Sequence, residues 1–267
     1  MEDFLMPKYL YKYKSLSTDF TEIDFDKVTL TDLPKLKDLN CTRIIEMIED
    51  SKIYIPTRGQ LNDPLEGANI PKMTFAVAGS WYYAAQHRVH GIVEEVLNSY
   101  RILSLSKEGK SPQMWAHYAG NYSGICIRFS TEGVFGLADA VEYTSEKSNK
   151  IIDEPDNEDI HFWVKDSYYK KSDKWSYEGE YRMLATEDQH FLHFERSDID
   201  SIIVGHNIKP EYRDRIVAAA NKYSIPVYST WYSDSDYTIH IIKIEAIIDN
   251  VVGTGEDILN YAVELEL

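Results

Sequence analysis

The sequence predicts an α+β protein with a mixed or antiparallel sheet flanked by helices. Short segments that alternate apolar and polar residues, as strands do, are interrupted by segments whose apolar residues recur with a helical period. This interleaving favours an α+β architecture. No repeat, low-complexity tract or linker divides the 267 residues, so we expect a single domain over residues 1–267.

The alternating segments give the predicted strands. The first of them, YLYKYKSL, is rich in aromatic residues, and Pro56 ends the second. In chain order the predicted strands cover residues 9–16, 53–55, 101–106, 124–130, 140–143, a segment that reaches 184 after a turn at 175, 199–204, 227–229, 238–244 and 261–267.

The helical segments each show an apolar face. Three isoleucines recur on one face of residues 41–50, and Trp81 and Val96 fall on the apolar side of residues 80–98. Pro112 suits the first turn of a further helix, with Ser111 as its N-cap. The predicted helices cover residues 41–50, 80–98, 112–119, 160–171 and 210–223.

The net charge is strongly acidic. The chain has 28 Lys and Arg against 44 Asp and Glu, a formal charge of −16. Such a field repels phosphate groups and disfavours non-specific binding to nucleic acid or to an anionic membrane. No stretch of about 18 apolar residues and no signal-peptide pattern occurs, so we expect a cytoplasmic protein without a membrane span. Cys41 and Cys126 are predicted to be free thiols.

The segment Glu178-Gly179-Glu180 is the first candidate for chemistry. Two carboxylates two residues apart on a strand share a face and lie roughly 7 Å apart. Their mutual repulsion would raise one pKa, which is useful in general acid–base catalysis. Alternatively, both are solvent-facing charges beside Arg182, which could pair with them across the same face.

Two further segments carry polar groups that could hold a ligand. Asn62 and Asp63 precede a proline, so they form a rigid turn or hold a ribose or amide group. Ser104 and Ser106 alternate along a predicted strand, which places their hydroxyls on one face.

Aromatic and basic residues form two more candidates. Trp115 and Tyr118 are three apart and therefore neighbours on a helix, either as core residues or as a clamp for a flat ring. Lys12 lies on the opposite strand face from Tyr11 and Tyr13. It could meet a diphosphate, or it could protect a strand edge from pairing.

Common enzyme signatures are absent from the sequence. There is no HExxH helix, no phosphate-binding loop of the GxxxxGK[ST] type, no GxGxxG and no GxSxG elbow. His87 and His90 lie three apart without a nearby cysteine, so we expect no metal site.

An ordered set of blocks is more specific than any one motif. LYKYKSL, IYIPTRGQLNDPLEG, ILSLS, MWAHYAGNYSGICIRF, KWSYEGEYR and IIVGHNI follow one another over residues 9–208. In this order they resemble an uncharacterised bacterial protein family with a LYKY start, an NDP-E loop, an MW-HYA block and a YE-EYR block. This chain has LNDPLE where an aromatic residue often flanks the NDP triplet.

The layout of these blocks in turn resembles the ADP-ribosyltransferase superfamily. Those enzymes carry a basic, His or Tyr position on a first strand, a Ser- or Tyr-bearing second strand and a terminal Glu, often as Glu-x-Glu, on a split sheet. Lys12 stands where many members have His or Arg. The resemblance therefore implies an ADP-ribosyltransferase-like domain that consumes NAD as a co-substrate.

The resemblance also implies roles for the candidate residues. Glu180 would stabilise the oxocarbenium-like state of nicotinamide–ribose cleavage, and Glu178 would act as general base towards the acceptor. The implied NAD-binding residues are Tyr11, Lys12, Tyr13, Asn62, Asp63, Ser104, Ser106, Trp115, Tyr118 and Arg182. The implied partners are a macromolecular acceptor, protein or nucleic acid, and an antitoxin protein, because such bacterial enzymes often act as toxins or anti-phage effectors.

Three alternatives stay open from the sequence. The same pocket could use water as acceptor, which would make the chain an NAD glycohydrolase. The chain could also be a catalytically inactive binding or regulatory module whose motif residues are structural. The acidic residues 153–159 could serve a metal-dependent nuclease.

Overall fold

The computed structural model describes residues 6–16, 38–63, 65–67, 69–76, 79–148, 150–232, 238–244 and 265. Its strands are β1 (Tyr9–Lys14), β2 (Lys52–Tyr54), β3 (Lys72–Thr74), β4 (Tyr100–Ser106), β5 (Ile125–Ser130), β6 (Asp139–Ala140), β7 (Glu142–Thr144), β8 (Ile151–Asp153), β9 (Lys170–Ser172), β10 (Glu180–Thr186), β11 (Phe191–His193), β12 (Ile199–Val204), β13 (Val227–Tyr232) and β14 (Ile239–Lys243).

The described α-helices are α1 (Leu39–Asp50), α2 (Ser80–Asn98), α3 (Pro112–Tyr118), α4 (Asn157–Ser167) and α5 (Pro210–Asn221). Short 3-10 helices cover Arg58–Gln60, Val134–Leu137, Asp173–Glu178 and Arg196–Asp198. None of the helices in the described ranges has both the length and the apolar composition that crossing a membrane requires.

The described residues fall into two compact units. Unit 1 takes its residues from Met1–Ile53, Leu105–Leu137 and His193–Leu267, and unit 2 takes them from Tyr54–Ser104 and Ala138–Leu192. The single domain over residues 1–267 stays a prediction.

Unit 1 contains a mixed sheet in the order β14-β13-β12-β5-β1. β12 and β13 run parallel, whereas the β13–β14, β12–β5 and β5–β1 pairs are antiparallel. The sheet core is apolar, because alternate residues such as Ile125, Ile127 and Phe129 are fully buried. Helices α1 and α5 pack against each other through their buried faces. Cys41 and Cys126 are buried free thiols.

Unit 2 combines short strand pairs with two packed helices. β10 lies between β4 and β6, and the β3–β8 and β7–β9 pairs are parallel. Helices α2 and α4 enclose a core that includes Leu97, Ile160, Val164 and Tyr168. The Tyr168 hydroxyl donates to the Leu97 carbonyl oxygen at 2.5 Å, which satisfies its polar end inside that core.

The α+β class and the mixed sheet agree with the sequence prediction, and most elements begin and end within a few residues of it. The predicted helix over residues 160–171 was misplaced. It starts earlier, because the side chain of Asp156 accepts from the backbone N–H of Asp159 and caps it. It also ends earlier, because the residues that follow it form β9 (Lys170–Ser172), which pairs with β7.

Two other differences concern apolar faces and boundaries. Trp81 was predicted on the inward side of α2 but is largely exposed, and only Val96 and Leu97 of that helix are buried. The predicted strand over residues 140–143 is divided into β6 and β7. The predicted strand over residues 261–267 lies outside the described residues except for Leu265.

Candidate functional site

The two candidate acids lie on different elements of unit 2. Glu178 is the last residue of the 3-10 helix Asp173–Glu178, and Glu180 is the first residue of β10. Gly179 joins them in the left-handed conformation, with φ of 49°. The prediction that both acids share a strand face is therefore wrong: a helix end and a glycine turn bring them together instead.

Lys171, on β9, connects the two carboxylates. Its Nζ donates to Glu178 Oε2 at 2.5 Å and to Glu180 Oε2 at 3.1 Å. The acids are only 4% and 5% exposed, so neither is the solvent-facing charge that the alternative interpretation expected. The ammonium group contacts both carboxylates and so offsets their mutual repulsion.

Arg182, on β10, is the centre of the same group and is 1% exposed. Its Nε and Nη2 donate to the two carboxylate oxygens of Glu180 at 2.7 and 2.8 Å. Its Nη2 also donates to Glu66 Oε2 at 2.9 Å, and its Nη1 donates to Glu66 Oε1 and to the Tyr168 carbonyl oxygen. We call Glu66, Lys171, Glu178, Glu180 and Arg182 the charged cluster.

The cations of the charged cluster favour the ionised form of the Glu180 carboxylate. Burial alone would raise the pKa of Glu180, but Arg182 and Lys171 lower it to about 2. Burial likewise opposes the charge on Lys171, and the two acids beside it outweigh that effect and raise its pKa. At Glu66, burial raises the pKa, and the opposing effect of Arg182 does not outweigh it.

The NDP-E loop supplies Glu66 to this cluster. Asp63 Oδ1 accepts the backbone N–H of Leu65 at 2.9 Å, and the Asp63 carbonyl oxygen accepts the N–H of Glu66 at 3.1 Å. Asp63 is buried and Asn62 is exposed. The pair therefore forms the rigid turn that was one of the two interpretations, and this turn carries Glu66 to Arg182.

The two candidate serines have different environments. Ser104, in unit 2, hydrogen-bonds Glu180. Ser106, in unit 1, is buried, and its hydroxyl accepts the backbone N–H of Glu108 at 2.9 Å. Ser104 thus joins the candidate acids, whereas Ser106 steadies the turn after β4.

The first-strand residues lie in unit 1. Tyr11 and Tyr13 are buried, and Lys12 is partly exposed. Tyr11 pairs with Ser106 across the β1–β4 ladder, and burial raises its pKa to about 12. The Tyr13 hydroxyl donates to the Glu108 carbonyl oxygen at 2.5 Å. Both tyrosines are therefore buried residues of the core of unit 1.

The two aromatic candidates on α3 are not equivalent. Trp115 is fully buried, and its Nε1 donates to the Gly109 carbonyl oxygen at 3.1 Å. It is therefore a core residue, one of the two interpretations, and has no exposed face for a flat ligand ring. Tyr118 is partly exposed and lies beside His117.

The acidic segment 153–159 serves local structure. Asp153 hydrogen-bonds Thr74 between β8 and β3, and Asp156 and Asp159 form the capping box of α4. Across the described ranges, no three His, Cys, Asp or Glu side chains gather in a way that could hold a metal ion.

The sequence interpretation missed an aromatic cleft in unit 1, which has a volume of about 350 Å³. The aromatic cleft is lined chiefly by Asn121, Tyr122, His206, Asn207, Trp231 and Tyr232. It lies where β12 and β13, the parallel pair, end. The sequence signal was the GHN triplet that follows the apolar strand IIV, because ligands often bind at the carboxyl ends of parallel strands.

Comparison with known proteins adds one similarity. Residues 114–183 match the family model described as Protein of unknown function (DUF2971). The matched segment includes Tyr122 of the aromatic cleft and four residues of the charged cluster, but not Glu66. No curated protein and no solved structure matches the chain.

Proposed function

We propose that the chain acts as a binding or regulatory module and that the charged cluster is structural. The observation that carries this proposal is the state of the Glu180 carboxylate. It accepts hydrogen bonds from Arg182 twice, from Lys171 once and from Ser104. A carboxylate offers about four acceptor positions, so none is left for a ribose hydroxyl.

Burial and connectivity support the structural role. The charged cluster ties the NDP-E loop, β9, the 3-10 helix Asp173–Glu178 and β10 together within unit 2. Breaking such a buried group by removing one partner typically costs about 3–5 kcal/mol, because a charge is left uncompensated. A substrate that displaced Arg182 would have to supply that free energy.

The experiment follows nicotinamide released from NAD by the purified protein, alone and with cell extract present. We expect no release above a heat-denatured control, because Glu180 has no acceptor position for the ribose. Release that depends on the folded protein would contradict the proposal.

An NAD-dependent ADP-ribosyltransferase, with an ADP-ribosyltransferase-like fold, is the second candidate. The observation that favours it is the meeting of Ser104, Glu178 and Glu180, which are the residues that the resemblance assigns to the ribose and to catalysis. Glu180 is also ionised, as the stabiliser of an oxocarbenium-like state must be. In this candidate the ribose hydroxyls replace a donor of Arg182 or Lys171.

Substitutions of Glu178 and Glu180 distinguish a transferase from a glycohydrolase and test a toxin role. If the second candidate holds, Glu180→Gln lowers NAD cleavage by about two to three orders of magnitude, the usual scale for one preorganised electrostatic group. Glu178→Gln then lowers transfer to a protein or nucleic-acid acceptor more than hydrolysis by water. Equal losses in both activities would contradict separate roles for Glu178 and Glu180, whereas hydrolysis of NAD without any transfer would indicate an NAD glycohydrolase. A toxin role, with an antitoxin partner, requires cell killing that Glu180→Gln abolishes.

A further inference from the structure

We propose that the aromatic cleft binds an uncharged planar nitrogen heterocycle of nucleobase size, an inference that rests on the proposed binding role of the chain. The cleft belongs to unit 1 and shares no residue with the charged cluster.

A ladder of aromatic rings leads from the core of unit 1 to the aromatic cleft. Trp115 stacks on Tyr122, with ring centroids 5.8 Å apart and planes 6° apart. Tyr122 contacts His206 at 4.6 Å, and His206 contacts Tyr232 at 4.9 Å. Tyr232 is 57% exposed and forms the outer end of the ladder. A flat ligand ring can extend this series by stacking on it.

The polar groups around the rings are neutral. The lining includes two side-chain amides and a hydroxyl, from Asn121, Asn207 and Thr238. None of the described lining residues is Lys, Arg, Asp or Glu. Burial lowers the pKa of His206, so its ring is uncharged near pH 7. A ligand edge that alternates donors and acceptors suits amide groups, whereas a phosphate or carboxylate would find no cation.

Trp231 holds a buried hydrogen-bond donor near the aromatic cleft. The indole N–H of Trp231 is buried and has no hydrogen-bond partner among the described residues. Such a group usually indicates a bound water or ligand acceptor. Trp231 also lines the aromatic cleft.

The base of the aromatic cleft is rigidly built. Gly120, Asn121 and Tyr122 all have positive φ, and for a residue as bulky as Tyr122 this conformation persists only when its surroundings impose it. The Tyr122 carbonyl oxygen accepts the Asn207 N–H at 3.0 Å. His206 is fixed through Thr230 Oγ1, which accepts its backbone N–H at 2.9 Å. Because such a site is already ordered, binding a ligand costs little conformational entropy of the protein.

The size of the aromatic cleft limits the ligand. Its volume of about 350 Å³ lies at the small end of the roughly 300–1,000 Å³ typical of small-molecule pockets. One or two fused rings fit this space together with a few ordered waters.

The test titrates the full chain with adenine and with cytosine in an isothermal calorimeter. We expect at least one base to bind, and we expect Tyr232→Ala to weaken it about tenfold, the scale of one lost stacking contact. Tyr232→Phe keeps the ring and should bind like the unchanged protein. Tyr83→Ala is the matched control, because Tyr83 is 66% exposed and lies in unit 2.

Different outcomes test the location of the binding site and the chemical class of its ligand. Equal binding by Tyr232→Ala and by the unchanged protein would overturn the aromatic cleft as the site. No binding of either base at millimolar concentration, or tighter binding of adenosine monophosphate than of adenine, would overturn the uncharged heterocycle. Nicotinamide release from NAD tests the proposed function separately, so each idea can fail without the other.

Discussion

The charged cluster and the aromatic cleft differ in what their polar atoms already do. In the charged cluster, both oxygens of Glu180 accept hydrogen bonds from the protein itself. In the aromatic cleft, the outer ring Tyr232 is exposed and the Trp231 N–H has no described partner. A region whose groups are satisfied internally stabilises the fold, whereas a region with unused faces and donors has capacity for a ligand.

The same comparison explains why motif chemistry can mislead. The Glu-x-Glu segment has the residue types of a catalytic pair, yet its neighbours Lys171 and Arg182 neutralise it. The aromatic cleft contains no charged side chain among its described lining residues, and no enzyme signature points to it. Residue type alone does not distinguish a buried ion-pair network from an active site.

The largest effect is expected for Arg182→Met. Removing the guanidinium leaves Glu66 and Glu180 without their shared partner, at a cost of about 3–5 kcal/mol. Urea unfolding should show this loss, and Arg182→Lys should fall in between because Lys has no two-pronged geometry. Arg213→Met, at an exposed ion pair, is the control and should change stability by less than about 0.5 kcal/mol. A loss that small for Arg182→Met would remove the structural role of the cluster.

Acid should weaken the charged cluster more than the aromatic cleft. The folded-state pKa of Glu180, about 2, lies below its unfolded value of about 4.3. Its contribution, about 3 kcal/mol by this difference, is therefore complete above the unfolded value and is lost as the pH falls towards 2. Glu66 offsets part of this loss, because its pKa is raised.

Stability measured by urea unfolding between pH 6 and pH 3 checks the acid effect. We expect a decline in the unchanged protein and a flatter profile in Glu180→Gln. Identical profiles would mean that Glu180 does not titrate as a paired group. Ligand binding in the aromatic cleft should vary little with pH as long as the pH stays above the pKa of His206, which burial lowers.

A smaller effect is expected for Gly205→Ala beside the aromatic cleft. A Cβ at Gly205 would lie 2.0 Å from the Tyr122 carbonyl oxygen, so the turn that holds Tyr122 must shift. Overpacking of this kind typically costs about 1–3 kcal/mol. Gly59→Ala, with no atom within 4 Å of the added Cβ, is the control. Thermal unfolding of both variants measures the difference, and equal melting temperatures would contradict the close contact.

Local patterns predicted much of the fold. Alternation placed β1, β5 and β12, and apolar periodicity with the Ser111 cap placed α2 and α3. What local patterns missed depends on distant partners. Lys170 and Lys171 were predicted to be helical but lie in β9, which pairs with β7, because tertiary pairing outweighs local preference.

The candidate site was less predictable for the same reason. Glu66 and Arg182 are 116 residues apart, and no local feature of the NDP-E loop shows which cation it meets. The aromatic cleft likewise joins Tyr122, His206 and Tyr232 from three separate segments. Ser104, Glu180 and Arg182 were predicted to act in one site and are in contact within unit 2.

The free energy of unfolding of Glu180→Gln, measured by urea titration at pH 7, tests the central claim most directly. A purely catalytic glutamate can be replaced by its isosteric amide without loss of stability. A structural member of the charged cluster cannot, because the amide group presents a donor to Lys171 and Arg182. We predict a loss of about 2–3 kcal/mol, with no change in Glu142→Gln, an exposed residue of β7. Equal stability of Glu180→Gln and the unchanged protein would contradict the structural role.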